Sequence, residues 1–242
     1  GAKLIQRALA AKDGPIVPLI AETGGINAML VDPSALPEQV CDAVLQSAFR
    51  SAGQRCSALR LLCLHEDIAE RTLAMIAGAV AELRVGDPAR IDTDVGPLID
   101  AEAHGNVAAQ IERLRRHGRA LWPDRIPQDL AVPHLQAPLA FEVKRIAAVK
   151  EEIFGPVLQV VRWSGDAAQV IDDINALGYG LTLGIQTRID SRAQALASQA
   201  QVGNVYVNRN TVGAVVGLQP CGGEGLSGTG PKAGGPHYLP RF

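Results

Sequence analysis

Apolar positions along this chain follow two periods in turn. Short contiguous apolar runs alternate with stretches in which apolar residues recur at three- and four-residue intervals, as strands and helices do. IVPLIAE (16–22) predicts a strand entering a Gly24-Gly25 turn, and NAMLV (27–31) a second strand. Asp32-Pro33-Ser34 offers caps for a helix over 37–52, with Val40, Val44, Leu45 and Ala48 inward. ALRLLCLH (58–65) reads as a buried strand, and EDIAERTLAMIAGAVAELRVG (66–86) as a long amphipathic helix closed by Gly86. DPARIDTDVGPLID (87–100) is loop-like, a helix follows at 101–117, and 118–140 is irregular and Pro-rich. PVLQVVRW (156–163), LTLGIQT (181–187) and NVYVN (204–208) predict strands, separated by helices in AQVIDDINALGYG and SRAQALASQAQVG.

Strands alternating with helices imply an α/β fold, a three-layer sandwich around a mostly parallel sheet. The chain opens directly in a helical pattern, with Leu4, Ile5, Ala8 and Leu9 on one face and no starting methionine, so it is expected to be part of something longer. From Arg209 onward glycine and proline dominate. GGEGLSGTGPKAGGP also carries Glu, Leu and Lys, which predicts an ordered loop whose backbone approaches another part of the molecule.

Composition narrows the function classes. With 47% apolar and 20% charged residues, the 242-residue chain can bury a sizeable core. A net charge of −2 gives no field favouring nucleic acid or an anionic membrane, and the one dense basic run, Arg113–Arg116, reads as a solvated helix face. No apolar run approaches the ~20 residues of a membrane helix, and no signal-peptide pattern is present. Cytoplasm is the expected compartment, with peripheral attachment of a longer parent to the inner membrane left open. Cys41, Cys56, Cys63 and Cys221 are far apart and form no CxxC pair, which argues against zinc and a disulfide scaffold. No metal is expected.

Candidate chemistry gathers around FRSAGQRCSALR (49–60). A cysteine taken alone is more often an inert buried residue. Here Phe49, Gly53, Gln54 and Cys56 form F-x-x-x-G-Q-x-C. Upstream stands Glu22-Thr23-Gly24-Gly25. Downstream stand Glu151-Glu152-Ile153-Phe154-Gly155-Pro156, then Gln219-Pro220-Cys221-Gly222-Gly223 and Ser227-Gly228. Four motifs in this order resemble the aldehyde dehydrogenase superfamily, over essentially the whole chain. Thr23, Ser57, RNTVGAVVGLQP and LSGTGPKAGGPHYL are similar, more narrowly, to Δ1-pyrroline-5-carboxylate dehydrogenases, including the dehydrogenase module of bacterial bifunctional proline-utilisation proteins.

That resemblance implies oxidation of L-glutamate γ-semialdehyde to glutamate with NAD. Cys56 would be the nucleophile and Glu22 the base that activates water against the resulting thioester. Glu152 would hold ribose hydroxyls of NAD, with Phe154 beside the nicotinamide ribose and Gly24 also at the cofactor. Backbone N–H groups of Gly213 and Ala214, with the Ser57 hydroxyl, would hold the substrate carboxylate. FAD would belong only to an upstream proline dehydrogenase module, and the parent is expected to be a homo-oligomer acting on a small aldehyde.

Residues 1–24 would be the tail of an NAD-binding domain, 25–217 the catalytic domain and 218–242 a glycine-rich end segment. The rest of the cofactor domain, with its oxyanion-hole asparagine, lies outside this sequence. The fragment alone is therefore expected to be inactive, since losing an oxyanion donor removes ~10²–10³ in rate. One departure stands out: Cys221 occupies a position where the family often has phenylalanine, which would loosen the substrate pocket. An aldehyde dehydrogenase of another substrate class and a noncatalytic module are the alternatives. A Cys–His hydrolase is weaker, because His65, His104, His117, His134 and His237 sit in no partner motif. NAD versus NADP is left open.

Overall fold

The computed structural model describes residues 1–126 and 131–242. Its strands are β1 (Ala21–Glu22), β2 (Asn27–Val31), β3 (Leu59–His65), β4 (Arg119–Ala120), β5 (Leu139–Glu142), β6 (Val157–Trp163), β7 (Tyr179–Gly180), β8 (Thr182–Gln186), β9 (Asn204–Val207), β10 (Glu224–Gly225) and β11 (Gly228–Thr229). Its α-helices are α1 (Ala2–Ala10), α2 (Pro37–Ala48), α3 (Glu66–Glu82), α4 (Ala101–His117), α5 (Ala167–Asn175) and α6 (Asp190–Gln199).

Seven strands form one sheet in the order β4-β5-β6-β3-β2-β8-β9, parallel throughout except for the antiparallel β4–β5 pair at one edge. The chain runs from β2 to β3 and out to the β4–β5 edge in one direction, steps back to β6, then crosses the sheet to β8 and β9. Right-handed crossovers therefore put α2 and α3 on one face and α5 and α6 on the other. The packing agrees, with α2 against α3 and α5 against α6. Strands covered on both faces show no alternation, and Ala28–Val31 and Leu61–Leu64 are all fully buried. The α/β class with a mostly parallel sheet is thus observed.

Several boundaries differ from the sequence expectation. In the predicted strand 16–22 only Ala21 and Glu22 pair; Pro15 and Pro18 remove donors just before them, and Ile16 is fully exposed. The helix predicted over 37–52 stops at Ala48, and Ser51, Ala52 and Gly53 then take positive φ values of 56°, 52° and 65°. Asp32 does not cap α2, whose N-cap is Leu36. Its buried carboxylate instead accepts from the Ser34 N–H at 2.9 Å and pairs with Arg192. Helix α3 ends at Glu82, short of Gly86, because residues 84–86 pair with the Asp94–Val95 segment. The irregular stretch 118–140 hides β4 and the start of β5, too short to show a period. Its residues 127–130 lie outside the described residues. The apolar face of α1 is uncovered, with Leu4 68% and Ile5 52% exposed.

Candidate active site

Cys56 lies on the loop between α2 and β3, at the amino end of the central strands, not at the carboxyl ends where open parallel sheets usually bind ligands. Three consecutive left-handed residues, Ser51 to Gly53, turn the chain sharply out of α2. At Gly53 a side chain would strike the Gly155 carbonyl oxygen at 2.2 Å, so glycine is required for conformation and for space. Gln54 then fastens the loop, donating to the Pro97 carbonyl at 3.2 Å and accepting from the Ile99 N–H at 2.9 Å. From beneath, buried Asn27 donates to the carbonyls of Cys56 (2.7 Å) and Ala58 (2.8 Å) and accepts from the Thr182 N–H at 3.1 Å. The backbone of Cys56 is thereby held while its side chain stays exposed.

The Cys56 thiol is pulled down from its ordinary value to about 6. The largest cause is the neighbouring Cys221 thiol; partial burial opposes, the Ser57 N–H helps, and the charge of Glu22 opposes. The Cys221 thiol is raised by the same contact. The Glu22 carboxyl is raised by burial. Glu22 is positioned by the glycine-rich tail: β1 pairs antiparallel with β11, Thr23 N–H donates to the Ser227 carbonyl at 3.1 Å, and its hydroxyl donates to the Leu226 carbonyl at 2.7 Å. The tail is the close-approaching ordered segment that its composition implied.

A second group adjoins the first. Arg60, on β3, is 1% exposed and donates to Glu152 Oε1 through Nη2 at 3.1 Å, and to the carbonyls of Gly155 and Arg55 at 3.1 and 3.2 Å. Glu152 Oε2 accepts from the Gly25 N–H at 3.0 Å. It lies where a side chain on Gly24 would stand, 2.0 Å from an ideal Cβ, so only glycine admits the carboxylate there. The Phe154 ring covers the guanidinium of Arg60, 5.3 Å from its centroid, and is itself 46% exposed. Neighbouring Glu151 points away and pairs with Arg113 at 2.6 Å, so part of the basic run of α4 is used in an ion pair.

The third group is the loop after β9. Gly213 and Ala214 have backbone N–H groups that donate to no other group among the described residues. Thr211 ties this loop to the cysteine loop, its hydroxyl donating to the Ser57 carbonyl at 2.9 Å. Arg209 stacks on Tyr206 at 5.0 Å and brings a guanidinium beside Gly213.

The structure thus brings Cys56, Ser57 and Glu22 together. It places Gly24, Glu152 and Phe154 in an adjoining group that Arg60 ties to the Arg55 carbonyl, and links the loop of Gly213 and Ala214 to the cysteine loop through Thr211 and Ser57. Asn27, Arg60 and Arg209 belong to the same region and were missed. A lone Asn or Arg inside a strand pattern carries no spacing that would reveal it. A cavity of about 740 Å³ is lined by Thr23, Gly24, Glu152, Tyr179, Leu226 and Gly228, among others. The Glu152 carboxylate edges it, an acceptor that suits a ribose with vicinal hydroxyls. The residues present therefore fit the NAD that the resemblance implies.

Comparison with known proteins places this arrangement. The Aldehyde dehydrogenase family matches residues 1–242. The chain is 54% identical to the Bifunctional protein PutA of Salmonella typhimurium, covering 100% of this chain and 19% of that protein. It is 35% identical to the 1-pyrroline-5-carboxylate dehydrogenase of Geobacillus kaustophilus, covering 99% and 47%. A crystal structure of Bradyrhizobium japonicum Proline Utilization A superposes with a TM-score of 0.95 at 57% identity, over 100% of this chain and 24% of that one. A Thermus 1-pyrroline-5-carboxylate dehydrogenase with bound NAD superposes at 0.92 and 34% identity, over 100% and 47%. The chain thus spans about a fifth of the first relative and about half of the second. The family match over the whole chain and the superposition on solved relatives agree that this chain belongs to the aldehyde dehydrogenase family.

Proposed function

We propose that this chain is the catalytic part of a dehydrogenase that oxidises L-glutamate γ-semialdehyde, the open form of Δ1-pyrroline-5-carboxylate, to glutamate in proline catabolism. The observation that carries the reading is the meeting of a thiol lowered to about 6 with a carboxyl raised by burial, Cys56 and Glu22, in one family-typical site. At neutral pH Cys56 is largely thiolate and attacks the aldehyde carbon to form a thiohemiacetal. NAD held beside Gly24 and Glu152 would supply the acceptor for the hydride lost from the thiohemiacetal carbon. A thioester then remains on Cys56. Glu22 removes a proton from the water that attacks it, and glutamate leaves as the thiolate is restored. A carboxyl held above its ordinary value is the stronger base for that step.

In this reading Gly24 and Glu152 bound the cofactor ribose, and Arg60 orients Glu152 from behind. Phe154 flanks the same site. The free N–H groups of Gly213 and Ala214, with the Ser57 hydroxyl, receive the substrate's α-carboxylate, and Arg209 adds positive charge beside them. Residues 1–24 form the end of the cofactor domain, 25–217 the catalytic domain and 218–242 the strap that seats Glu22. FAD and proline oxidation belong to another module of a cytoplasmic, homo-oligomeric parent.

The test is steady-state NADH formation by the full-length protein with glutamate semialdehyde and with simple aliphatic aldehydes. A clear preference in kcat/KM for glutamate semialdehyde is expected. Equal use of both would move the assignment to another aldehyde class, and no NADH from either would remove the enzymatic reading.

A further inference from the structure

Asn27 opens β2 and is 2% exposed. Its amide meets three backbone groups: the carbonyls of Cys56 and Ala58, at 2.7 and 2.8 Å, and the Thr182 N–H, at 3.1 Å. Two acceptors and one donor fix the orientation of the amide, because only Nδ2 can donate and only Oδ1 can accept. Gly25 makes the room, since a Cβ there would stand 2.9 Å from Asn27 Oδ1.

The Cys56 carbonyl belongs to the middle peptide of a four-residue turn, closed by the Ala58 N–H donating to the Arg55 carbonyl at 3.0 Å. A trans peptide is planar, so its carbonyl and its N–H point in opposite directions. Asn27 draws the carbonyl toward the sheet. The N–H of the same peptide, that of Ser57, therefore faces away from the sheet, and the Cys56 side chain is exposed. Among the described residues this N–H donates to no other backbone group. The sulfur is carried by the residue that supplies the peptide's carbonyl, so covalent structure keeps it near the Ser57 N–H. Thr211 braces the next peptide, its hydroxyl donating to the Ser57 carbonyl at 2.9 Å.

We propose that Asn27 is a positioning residue for Cys56: by holding the Cys56 carbonyl it aims and polarises the Ser57 N–H, which then stabilises the Cys56 thiolate. A peptide whose carbonyl accepts a hydrogen bond is the stronger donor through its N–H, as along any hydrogen-bonded chain. The behaviour of the thiol agrees. After the neighbouring Cys221 thiol, which lowers it most, and burial, which opposes, the Ser57 N–H lowers it. The charges facing Cys56 are those of Glu22, from β1, and Arg60, from β3. Asn27 carries no charge, so replacing it removes no Coulomb effect on the sulfur. That Cys56 is a nucleophile toward aldehydes rests on the proposed function; that Asn27 sets its ionisation does not.

The experiment follows iodoacetamide labelling of peptide Cys56–Arg60 against pH in the folded chain. The unaltered chain should show a midpoint at about 6. Asn27→Ala should raise it by about one to two pH units, the loss of one hydrogen bond to a charged group. Leu30, also on β2 and fully buried, is the control. Leu30→Ala destabilises through its cavity and should leave the midpoint in place. The proposal is overturned if Asn27→Ala keeps the midpoint, or if Leu30→Ala moves it as far. A second measurement needs no variant to fold. In the nitrogen-15-labelled unaltered chain, the Ser57 N–H and Asn27 Nδ2 protons should both move downfield as pH rises through the labelling midpoint. Asn27 protons that stay fixed while Cys56 ionises overturn the proposal. No readout uses aldehyde or NAD, so the proposed function stands or falls separately.

Discussion

The guanidinium of Arg60 and the carboxylate of Glu152 form an ion pair at 3.1 Å in which the arginine is 1% exposed. Arg60 also satisfies two carbonyls, so the pair links β3 to the Glu151–Pro156 segment. Breaking a buried pair from one side leaves an uncompensated charge. Arg60→Met should lower stability by about 3–5 kcal/mol, seen as a lower urea midpoint. Arg60→Met combined with Glu152→Gln should recover part of it. An unchanged midpoint in the single variant would mean that Glu152 is solvated and the pair idle.

Cys56 should be alkylated by iodoacetamide before Cys41 and Cys63, whose buried thiols are raised. The thiolate is the deprotonated form, so the labelling rate should climb as pH rises through about 6 and level off above it. Cys221→Ala removes the largest cause of that lowering and should move the midpoint upward, with the charge of Glu22 left to oppose ionisation. Earlier labelling of Cys41 or Cys63 in the folded protein would count heavily against Cys56 as nucleophile.

Glu22→Gln in the full-length protein should separate the two half-reactions. Thioester formation needs the thiolate, whereas hydrolysis needs the base. A burst of NADH followed by a slow steady state is expected from stopped-flow absorbance. Loss of the burst would assign Glu22 another role. Because burial raises this carboxyl, the steady-state rate of the unaltered enzyme should increase with pH through a value above that of an ordinary glutamate.

Ser57→Ala should discriminate by substrate. A hydrogen bond to a charged group contributes roughly 1.5–3 kcal/mol, so kcat/KM for glutamate semialdehyde should fall about 10- to 150-fold. Aliphatic aldehydes carry no α-carboxylate and should be used almost as before. An equal fall for both would place Ser57 in support of Cys56 and not at the carboxylate.

Asn27→Ala removes three hydrogen bonds at once, to the Cys56 and Ala58 carbonyls and from the Thr182 N–H. Leaving buried partners unpaired should lower stability by about 3 kcal/mol. Thermal denaturation would register this, and a melting point within a degree of the unaltered chain would show that water replaces the amide.

Much of the fold was legible because the signals were local. The apolar runs of β3, β6 and β8, and the periodicity of α4 and α5, lie in contiguous residues and survive in the structure nearly as read. Where expectation failed, a nonlocal contact overrode local preference. The helix expected to reach residue 52 gives way at Ala48 because the chain must turn left-handed under the Gly155 carbonyl. The strand expected at 16–22 shrinks to Ala21–Glu22 because only that part meets β11, far along the chain.

The sequence by itself determined the residue types, their order and hence the family: F-x-x-x-G-Q-x-C, the Glu22 and Glu152 motifs and the glycine-rich tail. It also marked Cys221 as a departure. Only the tertiary structure decided that Arg60 lies enclosed behind Glu152, that Asn27 holds the Cys56 carbonyl and that Thr211 ties the loop after β9 to Ser57. The physical reason is range. Backbone propensity and side-chain period act over a few residues and are written along the chain. Hydrogen bonds, ion pairs and thiol contacts act over a few ångströms and form only after the sheet has set its register.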